Sequence, residues 1–138
     1  MMKLQGLAPL LQVFDMAESV AFYRDVLGFE LVEHSPEIEA AEGRYFHWCW
    51  LRNGGGELML NTLHDAGERP PARDPARTAR LGDDICLYLG CADLDGAWAE
   101  LQARGVASAR APVTTPYGMR QLYLADPDGY GICLQWRA

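Results

Sequence analysis

One order of elements occurs twice along the chain, and it restricts the fold more than any single motif does. A first helix is predicted in DMAESVAFYRDVLGFEL. Asp15 is a good N-cap, and Glu18 three residues on completes a capping-box pattern. Met16, Val20, Tyr23 and Leu27 recur on one helical face, and Gly28 supplies the stop. A second helix is predicted in ADLDGAWAELQARGV. Asp93 caps it, Leu94, Ala97, Trp98 and Leu101 share a face, and Gly105 ends it. A strand candidate precedes each helix, PLLQVF before the first and DICLYLG before the second. After the first helix come FELVEHS and then RYFHWCWLRNGGGELMLNTL, a strand, a Gly-rich turn and a strand. After the second come VASARAPV and GMRQLYLADPDGYGICLQW, again strand, turn, strand.

The 138 residues therefore read as a single α+β domain, 1–138, built from two βαβββ modules. Module one spans 5–63 and module two 83–138. The connector over 64–82 is rich in Pro and Arg and reads as a surface loop, with a turn of helix at Asp74-Pro75, where Asp caps and Pro sits at N1. Each sheet has one face under a helix and one face open. Curling both open faces around one cavity buries them together. The expected product is a curved eight-stranded mixed sheet around a cup, with the helices outside.

Composition narrows the function classes. The formal net charge of −7 argues against nucleic-acid binding, which wants a basic stripe, and is compatible with a cationic ligand. No apolar run approaches the ~18 residues of a membrane span. The start, MMKLQGLAPLLQVFD, lacks an uninterrupted apolar region, so no secretory leader is expected. Cys49, Cys86, Cys91 and Cys133 form no C-x-x-C pair, which points to reduced thiols in a cytoplasmic protein.

Strand alternation assigns the faces. Leu11, Val13, Cys49, Leu58, Leu60, Leu87, Leu122, Leu124, Ile132 and Leu134 are expected to pack. Gln12, Trp48, Trp50, Glu57, Met59 and Asn61 face the cup from module one. Asp84, Tyr88, Gln121, Tyr123 and Gln135 face it from module two, with Cys86 and Cys133 among them. An aromatic cavity with a few polar groups suits a small molecule, although the same positions could be plain core. Arg120 falls on the other face, as a surface or packing charge. His47 is expected outward.

Two stretches carry a family resemblance across nearly the whole chain: VFDMAESVAFYRDVLGFEL, and YGMRQLYLADPDGYGICLQW. The chain resembles the vicinal oxygen chelate superfamily, which holds glyoxalase I, bleomycin resistance proteins, fosfomycin resistance enzymes and extradiol dioxygenases. The resemblance implies paired βαβββ modules, commonly in a homodimer. Metal-using members hold a divalent ion with two side chains from each module. Carried over, these positions are Ala8 and Glu57 in module one, and Asp84 and Cys133 in module two. Ala8 cannot ligate. Glu57 stands in the family's carboxylate context, GELMLN, Asp84 replaces the usual His, and Cys133 replaces a carboxylate.

Two readings follow. In the first, the chain is a binding protein of the bleomycin-resistance type, with no cofactor and no complete metal site. Trp48, Trp50 and Tyr123 stack on an aromatic or cationic ligand, and Glu57 and Asp84 pair with a positive group. In the second, it is a divalent-metal-dependent lyase, isomerase or transferase of the glyoxalase or fosfomycin type. There Glu57 is catalytic and a Glu57, Asp84, Cys133 cluster holds the ion. A nucleophilic Cys133 would want a nearby His or a helix N-terminus, and neither is visible in the sequence. The segments 34–44 and 64–83 are expected to close over the cup.

Overall fold

A computed structural model describes all of residues 1–138. It divides into two compact units, Met1–Pro71 and Ala72–Ala138.

The N-terminal unit has the strands β1 (Leu10–Val13), β2 (Glu30–His34), β3 (Ile38–Ala40), β4 (Gly43–Tyr45), β5 (Trp48–Asn53) and β6 (Gly56–Thr62). Four of them form a sheet in the order β1-β6-β5-β2, with β1 parallel to β6 and the other pairs antiparallel. Helix α1 (Met16–Ala21) starts as expected, because Asp15 Oδ1 accepts the Glu18 N–H at 3.1 Å. It then widens into a π-helical turn over Phe22–Val26, where the Leu27 N–H reaches back to the Phe22 carbonyl. Gly28, at φ +75°, ends it. Met16, Val20 and Tyr23 are buried with Leu11, Val13, Cys49, Leu51, Leu58 and Leu60, and Met16 Sδ lies 3.8 Å from Cys49 Sγ. The helical period of α1 and the alternation of the strands thus meet in one core.

The C-terminal unit has α2 (Pro75–Asp84), β7 (Cys86–Gly90), α3 (Leu94–Ala103), β8 (Val113–Thr114), β9 (Met119–Ala125) and β10 (Gly131–Arg137). Its sheet order is β7-β10-β9-β8, with β7 parallel to β10. Asp93 caps α3 by accepting the Gly96 N–H at 2.9 Å, and α3 packs on β9 and β10. Arg120 pairs with Asp95 of α3 at 2.7 Å, on the helix side of the sheet. Leu122, Leu124, Ile132 and Leu134 are buried, as their alternation predicts.

Each unit repeats the β-α-β-β-β order, with the last strand central and parallel to the first. Three expectations change. The predicted strand in VASARAPV shrinks to Val113–Thr114. The residues before it turn instead, with the Ala109 N–H bonded to the Val106 carbonyl and Ser108 Oγ bonded to Ala125. The segment 34–44 contains all but the last residue of a small hairpin, β3-β4, which charged, short runs conceal from pattern reading. The connector holds a full helix, α2, capped by Asp74 Oδ1 on the Ala76 N–H at 3.0 Å.

α2 is held by the turn between β9 and β10. Asp126 Oδ1 accepts the N–H groups of Asp128 and Tyr130, both at 2.9 Å, which shapes the D-P-D-G turn. Asp128 is fully buried, with Arg73 and Arg77 each 3.6 Å from its Oδ1. Gly129 sits at φ +98°, and a Cβ there would lie 2.7 Å from the Thr78 carbonyl oxygen. Only glycine fits that approach.

Candidate functional site

The open face of the N-terminal sheet is built in rows by strand register. Gln12, Asn61 and Trp48 form one row, Leu10, Met59 and Trp50 the next, and Glu57 and Arg52 the third. The structure thereby brings together all six module-one residues named from the sequence. Asn61 Nδ2 donates to Gln12 Oε1 at 3.3 Å. Trp48, Trp50 and Met59 are half-buried. The Trp50 indole N–H is buried without an acceptor, an unmatched donor that costs about 1–3 kcal/mol.

Arg52 is the residue that sequence reasoning missed. Its Nε donates to Glu57 Oε1 at 2.8 Å, and its guanidinium lies 5.1 Å from the centre of the Trp50 ring. Glu57 therefore already holds a cation and is not the free carboxylate expected on this face. The missed signal is cross-strand charge pairing, since Arg52 and Glu57 flank the Gly-rich turn at opposed positions.

The open face of the C-terminal sheet follows the same logic. Tyr88, Cys133 and Tyr123 make one row, and Gly90, Gln135 and Gln121 the next. The two tyrosine hydroxyls are 3.1 Å apart. Tyr123 donates to Gln121 Oε1 at 3.0 Å. Gln121 Nε2 donates to Gln135 Oε1 at 3.2 Å and to the Tyr117 hydroxyl at 3.3 Å. The result is a ladder of neutral phenols and amides. The bond to Tyr88, burial and contact with Cys133 hold the Tyr123 hydroxyl protonated well above the ordinary phenol range. At the far end of the ladder, Gly90, Met119, Gln135, Trp136 and Arg137 line an open cleft of about 430 Å³. The Trp136 ring packs against Gly90, where a Cβ would stand at ordinary contact distance, 3.4 Å.

Asp84 does not join this face. It is the last residue of α2, before β7 begins at Cys86. The expected strand start was displaced because α2 runs on through Gly82 and Asp83, closing with the Ile85 N–H on the Leu81 carbonyl at 3.0 Å.

The donor set does not fit a resident divalent metal. Ala8 has no ligating atom. Glu57 is paired with Arg52, Asp84 ends a helix, and Cys133 is fully buried beside two hydrogen-bonded phenols. Within neither unit do three His, Cys, Asp or Glu side chains gather where they could hold an ion. The Cys133 thiol is no activated nucleophile, because burial pushes it up, and the Cys49 thiol is pushed to about 11 for the same reason. Cys86 is exposed.

Parts of the segments 34–44 and 64–83 meet beside the start of α1. Glu42, in the turn between β3 and β4, accepts from the Tyr45 hydroxyl (3.2 Å) and the Gly67 N–H (3.3 Å). Arg69 pairs with Asp15 at 3.2 Å and lies over Phe14. Together they surround the start of α1 and enclose about 40 Å³, room for about one water.

Two βαβββ units, each with a helix-covered core and an aromatic open face, define the class of protein. The model of the Glyoxalase/Bleomycin resistance protein/Dioxygenase superfamily matches residues 6–134, and the chain belongs to that superfamily. No curated protein sequence matches it. Among solved structures it is similar to TnmS3, an antibiotic binding protein from Streptomyces sp. CB03234, at 27% identity and TM-score 0.67 over 100% of both chains. A glyoxalase/bleomycin resistance protein from the same source is 28% identical, with TM-score 0.62 over 96% of this chain and 100% of that one. A bleomycin-binding protein complexed with bleomycin shares the fold at TM-score 0.67 and 21% identity, over 98% of this chain and 100% of that one. No helix is long and apolar enough to cross a membrane.

Proposed function

We propose that this chain is a small-molecule binding protein that holds an aromatic ligand on its open sheet faces and performs no metal chemistry on it. The observation that carries this reading is the half-buried cluster of Trp48, Trp50 and Met59 around the Gln12–Asn61 pair. Large rings left partly exposed on a sheet face, with a few fixed amides among them, are the composition of a ligand site. The likeness to an antibiotic binding protein over the full length of both chains supports it. The expected cup, walled by both faces in a homodimer, belongs to this proposal. So does a cytoplasmic role in which binding alone sequesters the ligand. The metal-dependent alternative through Glu57 gains no support from geometry, because Glu57 is bound to Arg52.

The test is titration of the purified chain with planar aromatic compounds and bleomycin, followed by tryptophan fluorescence. Saturable quenching that Trp50→Ala weakens at least tenfold is the expected result. Absence of saturable binding by every compound, or one tightly held divalent ion per chain by elemental analysis, would overturn the reading.

A further inference from the structure

The chain has two asparagines, Asn53 and Asn61, and the fold treats them in opposite ways. Asn53 ends β5 and pairs with Gly56. The two-residue turn Gly54-Gly55 joins the strands, with Gly54 at φ +55°. Asn53, Gly54 and Gly55 are all exposed. The Gly54 N–H has no hydrogen-bond partner. A Cβ at Gly54 or Gly55 would meet nothing within 4 Å, so the peptide plane between Asn53 and Gly54 can swing without collision. Asn61 lies in mid-strand between Gln12 and Trp48. Thr62 follows it, branched at Cβ, and the Thr62 N–H is held by the His47 carbonyl at 2.9 Å.

This difference decides which amide is open to attack by the backbone nitrogen that follows it. At Asn53 the Gly54 nitrogen gives its proton to water and bonds to Cγ. The Cγ–Nδ2 bond breaks, and Nδ2 leaves as ammonia with a proton from solvent. The product is a five-membered succinimide. Water then opens the ring at either carbonyl and is the one co-reactant. One opening leaves an aspartyl residue at position 53. The other leaves an isoaspartyl residue, whose main chain runs through the former side chain and is longer by one carbon.

The position gives that product a consequence. Asn53 Nδ2 donates to the Leu27 carbonyl at 2.9 Å, which ties the end of the π-helical turn to the β5–β6 hairpin. Nδ2 is the atom that leaves. The oxygen that replaces it cannot donate, and a carboxylate there faces a carbonyl at the negative end of a helix. In the isoaspartyl form the pairing of position 53 with Gly56 is also thrown out of step. The next rung inward is Arg52 with Glu57, at the end of the open face.

We infer that Asn53-Gly54 is a self-modification site: it deamidates in the folded chain, and the product unties the end of the first helix from the hairpin that carries Arg52 and Glu57. This stands independently of the small-molecule-binding reading.

The experiment incubates the full chain at pH 8.5, folded and in urea. Fragment sequencing by mass spectrometry locates the loss of amide, and enzymatic methylation reads isoaspartate. In the folded chain Asn53 should convert at least tenfold faster than Asn61, and within tenfold of its rate in urea, to both products. The converted fraction, separated by its added charge, is then followed by hydrogen exchange. The N–H groups of Leu27 and Phe29, which close the helix on Phe22 and Tyr23, should exchange at least threefold faster, with β10 unchanged. Asn53→Asp should reproduce the faster exchange, and Asn53→Gln should show no conversion at that position. Conversion of Asn53 in urea alone, or no faster than that of Asn61, overturns the site. Unchanged exchange at Leu27 and Phe29 in the converted fraction and in Asn53→Asp overturns the consequence.

Discussion

The hydroxyl oxygens of Tyr88 and Tyr123 lie 3.1 Å apart, bridging the row in which the buried Cys133 stands between them. This relationship explains the cysteine. A small, nearly apolar side chain lets two phenols meet where metal-using relatives, by the family resemblance, carry a carboxylate. Cys133→Glu is expected to destabilise the protein by about 3–5 kcal/mol, because it buries an uncompensated charge. Cys133→Ala should cost only about 1 kcal/mol. Denaturant midpoints of the two variants check this.

The same bridge sets a pH dependence. The folded chain holds the Tyr123 proton more tightly than the unfolded chain, chiefly through its bond with Tyr88. Below about pH 10 both states keep the proton and the contribution is fully present. As pH rises further, the unfolded chain releases the proton first, so stability declines. Comparing unfolding at pH 8 and pH 11 should show a steeper loss for the native sequence than for Tyr123→Phe. Tyr88→Phe should bring the Tyr123 titration, followed by phenolate absorbance, back toward the ordinary range.

The Arg52–Glu57 pair is half exposed, with side chains 42% and 29% accessible, so Glu57→Gln should change stability by less than about 1 kcal/mol. It should leave aromatic-ligand affinity unchanged, or raise that of an anionic probe by freeing Arg52. A metal-dependent activity abolished by this substitution would contradict the binding-protein reading.

Gly129 and Gly118 both have positive φ, +98° and +83°, but only Gly129 faces a neighbour, the Thr78 carbonyl oxygen. Gly118→Ala should cost about 1 kcal/mol, the strain of the backbone region alone. Gly129→Ala should cost about 3 kcal/mol, since strain and a backbone collision add. Thermal unfolding of the two variants separates the terms.

Much of this was legible in the sequence because period and capping agree. Asp15 and Asp93 cap where expected, Leu122 and Ile132 pack as alternation demands, and Trp48, Trp50 and Met59 share the open face. Local rules act on local geometry, and these elements obey them. The length of α2 was hidden because Arg, Gly and Asp mask a helix whose residues are all left unburied. That error displaced Asp84. The charge state of the site was hidden for another reason. Whether Glu57 is free depends on a cross-strand neighbour. That is not a property of the residue's own position.

The buried Asp128 fixes where this chain can be recombined. Its two arginine counter-ions, Arg73 and Arg77, precede the strands they serve and lie in what reads as a linker. A fragment begun at Asp83 would strand the carboxylate, and one begun at Ala72 keeps both partners. Exchange of modules between relatives therefore has its crossover before Ala72. The connector is inherited with the second module, as its first working part.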